Sequence, residues 1–227
     1  MAKEHYSIAV DGPSGAGKST LAKALARELN IIYVDTGAIY RTIGLEVFRR
    51  GLDPKNEAEV SAILPELSIR MEYEDDGLQH MFLNGEDVTA DIRLPSISLY
   101  ASDVSALPAV GAFLLDMQRE LARRNCVIMD GRDIGTVVLP DAEVKIYLTA
   151  SAEERAKRRF LELAARGAGK TYQEVLEEQR LRDDNDMHRA IAPLKPAEDS
   201  VIVDTTELDF EQSKQAVLSI IRERVGV

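Results

Sequence analysis

Tryptophan is absent from this 227-residue chain and only 5% of its residues are aromatic. There is thus little material for a platform on which successive bases of a nucleic-acid strand could stack. Basic residues are in deficit as well: 28 Lys and Arg stand against 39 Asp and Glu, a formal charge of −11. That balance argues against sequence-independent binding to a phosphate backbone, so any anionic ligand must be met by a local cluster of cations. Cys126 is the one cysteine, which excludes an intrachain disulfide and a cysteine-built metal site. His5, His80 and His188 share no metal-ligand spacing and read as ordinary surface or packing residues. No apolar run approaches the length of a membrane span, and the first strand pattern begins a few residues after Met1. We therefore expect a cytoplasmic monomer without a cleavable leader, acting on small molecules and on neither nucleic acid nor membrane.

What the chain does have is a strong local signal near its start. Gly12-Pro13-Ser14-Gly15-Ala16-Gly17-Lys18-Ser19-Thr20 follows the apolar run Tyr6 to Asp11 and precedes the helical pattern Leu21 to Leu29. Strand, glycine-rich loop and helix in that order make a phosphate-binding loop. Its glycines let successive backbone N–H groups turn inward around phosphates, and the start of the helix adds its positive dipole end. Lys18 is expected to reach the outer phosphates and Ser19 to offer its hydroxyl to a magnesium ion. A second Gly-Lys-Thr, Gly169-Lys170-Thr171, follows a helical pattern and has Ala164 at the first glycine position. It reads as a connection between helices.

Further short apolar strands recur at Ile31 to Val34, Cys126 to Asp130, Val144 to Leu148 and Ser200 to Val203. They alternate with helical patterns at Val110 to Arg124, Ser151 to Arg166, Thr171 to Met187 and Phe210 to Arg224. This predicts an α/β fold, a five-stranded parallel sheet with helices on both faces, as one domain over 1–227. The interval between the second and third strands is too long for one crossover. Leu67 to Tyr73 and Leu78 to Leu83, separated by Glu74-Asp75-Asp76-Gly77, look like a hairpin, and Asn84-Gly85 offers another tight turn. A small, partly β insertion is expected over roughly 50–100.

In open α/β sheets ligands collect beyond the carboxyl ends of the strands. There the chain carries Asp35-Thr36-Gly37 and Asp130-Gly131-Arg132-Asp133. Asp130 is placed like the acidic residue that holds magnesium beside a phosphate loop. On a helix, Arg182, Asp186 and Arg189 fall at spacings of four and three, hence on one face able to bind a phosphate and a sugar hydroxyl together. Arg155, Arg158 and Arg159 precede Gly167 and Gly169, a region expected to act as a lid whose arginines close over a transferring phosphoryl group. Lid and following helix together span 155–190. Lys157 and Arg166 read as solvent-facing.

Taken together, the phosphate loop, Asp35-Thr-Gly-Ala-Ile-Tyr-Arg41, Asp130-Gly-Arg-Asp-Ile-Gly-Thr-Val-Val138 and Arg182-Asp-Asp-Asn-Asp-Met-His-Arg189 resemble bacterial cytidylate kinase over nearly the whole chain. The resemblance implies a P-loop nucleoside monophosphate kinase fold. It also implies transfer of the γ-phosphoryl group of ATP to CMP or dCMP with magnesium, in pyrimidine nucleotide metabolism. Carried over position by position, it implies Thr36, Arg41, Ser102, Arg132, Asp133, Arg182, Asp186 and Arg189 for the monophosphate. Arg41, Arg132, Arg182 and Arg189 would hold its phosphate, Asp186 the ribose hydroxyls, and Ser102 and Asp133 the cytosine. Lys18, Asp130, Arg132, Arg155 and Arg159 are the expected catalytic set. One position departs: where the family pattern has arginine after Pro-x-Val, this chain reads Pro108-Ala109-Val110-Gly111. Weaker discrimination among pyrimidines is expected, with Arg119 or Arg123 as replacements. A small kinase for another monophosphate, or for a metabolite such as shikimate, is the neighbouring enzyme reading, and a GTP-driven switch the alternative class. The switch would need an Asn-Lys-x-Asp segment, which the chain lacks.

Overall fold

The computed structural model describes residues 5–73, 79–165, 167 and 169–226. In chain order the elements are β1 (Ser7–Asp11), α1 (Lys18–Leu29), β2 (Ile32–Asp35), α2 (Thr36–Arg49), α3 (Glu57–Ile63), β3 (Ile69–Tyr73), β4 (Gln79–Leu83) and β5 (Glu86–Asp87). They continue with α4 (Pro95–Val104), α5 (Pro108–Arg124), β6 (Val127–Gly131), a π turn at Ile134–Val138, β7 (Val144–Thr149), α6 (Ala152–Ala165), α7 (Tyr172–His188), β8 (Val201–Asp204) and α8 (Phe210–Val225).

Among the described residues, β2, β6, β1, β7 and β8 form, in that order, a five-stranded parallel sheet flanked by helices. β1 lies at its centre, with Ser7 beside Val127 of β6 and Ile8 beside Val144 of β7. The chain leaves β1 toward one side of the sheet and later returns to build the other, so the end of β1 is a topological switch point, where crevices open. Ile8, Val10, Ile128, Val144, Ile146 and Leu148 are buried and pack with Leu21 and Leu25 of α1 and Val217, Leu218 and Ile221 of α8. Each large apolar side chain taken out of water contributes on the order of 1.5–3 kcal/mol, which explains why the middles of these short strands are mostly apolar, with their carboxylates at or near the carboxyl ends.

The chain divides into two compact units, one made of Met1–Tyr33 and Ala122–Val227, the other of Val34–Leu121. The second unit reaches beyond both ends of the 50–100 stretch. Its antiparallel sheet has the order β3-β4-β5, with Ile69 opposite Leu83 and Tyr73 opposite Gln79. Asn84 and Gly85 both take positive φ, 52° and 89°, as a tight hairpin turn requires. The turn expected at Glu74 to Gly77 lies outside the described residues. Most of this unit is nevertheless helical. α2 starts where the Asp35 carboxylate accepts from the Ala38 N–H at 2.9 Å, and α3 where Asn56 caps Ala58 and Glu59.

Candidate active site

The loop between β1 and α1 is shaped by close approaches at Gly12 and Gly15. A Cβ on Gly12, which has φ of 147°, would stand 1.9 Å from the carbonyl oxygen of Leu148; only glycine can follow Asp11 there. α1 opens on Gly17 in the left-handed region, with no side-chain cap and no acidic residue in its first turn. Its free N–H groups and dipole are left for an anion. Lys18 is buried and its Nζ donates to the Pro13 carbonyl at 2.8 Å. Burial pushes the ammonium pKa well down and the charge of Arg132 adds to this, whereas Asp130 and Asp11 oppose it. The Ser19 hydroxyl donates to Asp130 Oδ2 at 2.7 Å, and the Tyr33 hydroxyl to Asp130 Oδ1 at 2.8 Å. A hydroxyl and a carboxylate are thus fixed side by side, an oxygen pair suited to a hard divalent cation. Among the described residues there is no cluster of three or more His, Cys, Asp and Glu side chains that could hold a metal alone.

The first unit also gathers most of the expected acceptor residues. Arg132 Nε donates to Asp186 Oδ2 at 2.7 Å, and Arg189 lies 3.7 Å from Asp133. Burial of Asp186 acts to raise its pKa, but the Arg132, Arg182 and Arg189 guanidiniums hold it below the usual range. For Asp133 burial wins over Arg189 and Arg132, and its pKa is raised. The expectation of one helical face needs a correction: α7 ends at His188, and Arg189 is its C-cap with extended φ and ψ of −61° and 141°. The chain turns back there, with the Leu194 N–H on the Asp186 carbonyl, because Pro193 cannot continue a helix and Ala192 has a positive φ. Arg189 reaches the cluster from this turn.

The lid arginines differ from one another. Arg155 was expected to project over a phosphoryl group; it is buried, and its N–H groups are taken by the carbonyls of Ala150 and Ser14, by Gln179 and, at 2.7 Å, by Asp183. Burying a guanidinium demands such saturation, so this side chain braces the phosphate loop against α7. Arg158 donates to the Thr205 carbonyl, and Arg159 is exposed beside Glu162. Thr171 caps α7 in a capping box with Glu174, and Lys170 pairs with Glu178, so the second Gly-Lys-Thr is a helix start with its lysine occupied. Arg166 lies outside the described residues.

Thr36, Arg41 and Ser102 belong to the second unit. Thr36 is the first residue of α2 and is buried; Ser102 is half-buried on α4. The Asp35 carboxylate that caps α2 lies 3.9 Å from Arg41 and 3.1 Å from Arg93. Gly111 sits on α5 facing open space. Arg119 is eight residues further along that helix, roughly 12 Å at 1.5 Å per residue, and Arg123 lies beyond it, so neither occupies the place an arginine at 111 would take.

Sequence reasoning missed Asp11, Tyr33, Arg93, Gln179 and Asp183. Asp11 ends β1 and Tyr33 lies inside β2, both in strands whose apolar pattern reads as core. Arg93 belongs to no motif, and its nearness to Asp35 follows only from the fold.

Residues 8–223 match the family model described as cytidylate kinase. A cytidylate kinase from Caldicellulosiruptor bescii is 52% identical over 214 residues, 94% of each chain, and one from Geobacter sulfurreducens is 46% identical, covering 96% of this chain and 93% of its own. Among solved structures, an uncharacterized protein from Eubacterium ventriosum aligns with a TM-score of 0.57 at 14% identity, over 97% of this chain and all of that one, a likeness of fold.

Proposed function

The chain belongs to the cytidylate kinase family, and from that premise we propose how its residues divide the transfer of the γ-phosphoryl group of ATP to CMP or dCMP. Such a transfer asks for little covalent chemistry from the protein and much positioning and charge stabilisation. The observation that carries the reading is the convergence, in the first unit, of the phosphate loop with Lys18, the Ser19 and Asp130 pair, and the Arg132 and Asp186 pair.

The free N–H groups at the start of α1 cradle the phosphates of ATP, residues 12–20 forming the loop. Lys18 spends one proton on the Pro13 carbonyl and keeps two for the outer phosphate oxygens. That single internal bond fixes the direction of the ammonium before the nucleotide arrives. Ser19 and Asp130 would hold a magnesium ion, and Tyr33 keeps the carboxylate turned toward it. The chemistry supplied there is neutralisation and orientation of phosphate oxygens.

Arg132, Arg182, Arg189 and Arg41 take the phosphate of the acceptor. Asp186 pairs with Arg132 and Asp133 lies beside Arg189, which keeps cations that repel one another in place and aimed. Asp186 also accepts from the ribose hydroxyls, Ser102 and Asp133 serve the cytosine, and Thr36, the first residue of α2, serves the monophosphate as well. Arg132 and Arg159 stabilise charge on the transferring group, whereas Arg155 acts through the loop it braces. The same reading makes the protein a cytoplasmic monomer of pyrimidine nucleotide metabolism.

A coupled assay over CMP, dCMP, UMP, AMP and GMP with ATP tests it. We expect turnover with both cytidine compounds and its loss when magnesium is chelated. An enzyme inactive with CMP and dCMP would overturn the assignment.

A further inference from the structure

The π turn at Ile134–Val138 follows the loop that carries Arg132 and Asp133, and its start presents consecutive backbone N–H groups that need acceptors. The residue in the N-cap position is Asp133, a type whose carboxylate ordinarily does this work. Here it makes no cap bond. Asp11, 123 residues away from Ile134, does it instead: its Oδ1 accepts from the Ile134 N–H at 2.8 Å and its Oδ2 from the Gly135 N–H at 2.7 Å. The side chain is buried, and Asp11 stands beside Gly131 in the register of β1 and β6.

Two consequences follow from the chemistry. Both N–H groups need an oxygen, so only a carboxylate satisfies them; the amide of asparagine offers one oxygen and turns an N–H group toward the other donor. And because the cap comes from Asp11, the Asp133 carboxylate is released from its own helix and can face Arg189. Asp11 is also the residue immediately before Gly12, so the same carboxylate ties the phosphate loop to the Arg132 loop. Burial raises its pKa to about 6 against these two hydrogen bonds, with Asp133 adding to the rise and Lys18 opposing it. It is therefore mostly ionised at neutral pH.

We infer that Asp11 is a positioning residue for the acceptor: by capping the π turn in place of Asp133 it sets Arg132 and Asp133 in their binding geometry. The inference rests on the acceptor roles proposed above for those two residues. It does not require Asp11 to touch either nucleotide.

The test is the split between the two Michaelis constants in Asp11→Asn. Loss of a charge-assisted hydrogen bond in this position is expected to raise KM for CMP about tenfold, while KM for ATP changes less than twofold. A second variant, Gly135→Ala, presses on the same cap without removing it, since its Cβ would meet Asp11 Oδ2 and Lys145 Cδ at 3.3 Å. It should raise KM for CMP about threefold with KM for ATP unchanged, and it decides the matter if Asp11→Asn does not fold. Equal changes in both constants, or an unchanged KM for CMP in a folded variant, would overturn the inference while wild-type turnover of CMP left the kinase assignment intact.

Discussion

The N-termini of α1 and α2 each follow a strand of the parallel sheet, and the two are prepared in opposite ways. α1 begins with a left-handed glycine, no capping side chain and no acidic residue in its first turn. α2 begins under the Asp35 carboxylate, which takes the Ala38 N–H and lies near Arg41 and Arg93. In the first case the backbone itself is the binding surface. In the second the carboxylate damps the helix dipole, and the attraction for an anion passes to the guanidiniums held beside it. A polyphosphate with several fixed charges suits the first arrangement, because many N–H groups can wrap it. A single terminal phosphate that must present one oxygen for reaction suits the second, because a few long side chains can grip it from chosen sides.

The largest way to break this contrast is at α1. Lys18→Ala removes the buried ammonium that supplements the backbone amides, and kcat should fall on the order of a thousandfold, the scale seen when a preorganised charge is lost. Circular dichroism should report an intact fold, and near-normal turnover would remove Lys18 from its role. Asp35→Ala attacks α2 with a smaller and differently distributed effect. Loss of the cap should cost about 1 kcal/mol of stability, read by thermal unfolding. KM for CMP should rise several-fold as Arg41 and Arg93 lose their anchor, with KM for ATP held. Unchanged KM for CMP would mean that the second helix start has no part in acceptor binding. Gly111→Arg has the smallest expected effect and sharpens the comparison: the open space at α5 can take the side chain, and the ratio of CMP to UMP turnover should rise a few-fold. A ratio that stays put would detach this position from base selection.

The same contrast explains what could be read before the fold was known. The phosphate loop was legible because its function lies in the backbone, and backbone shape is written locally in glycine spacing and in the strand and helix on either side. The parallel strands were legible because burial on both faces demands continuous apolar residues. Arg93, by contrast, becomes relevant only once α2 and the segment before α4 are folded together. Arg155 carried the right chemistry, but its burial depends on Gln179 and Asp183 arriving from another helix. Arg189 had the right spacing for a helix that the turn at Ala192 and Pro193 ends one residue too soon. In each case a residue type suggested a role and the tertiary contacts decided which role it took.

α7 changes character along its length. Its inward face begins with Val175 and Leu176, packed with Ala156 of α6, and continues with Gln179, Asp183 and Asp186, all buried. Apolar residues of similar size at those last three positions alone would leave the Arg155 and Arg132 guanidiniums without their acids, at a cost of about 3–5 kcal/mol for a buried pair, whereas apolar residues in place of both the acids and their arginines would leave the folded chain as stable or more so. They would also leave it inert. Half of one helix, with the arginines it faces, is thus held below the stability its fold would allow, and a search for hardier variants one substitution at a time would not find the gain, because each acid and its arginine must be exchanged together.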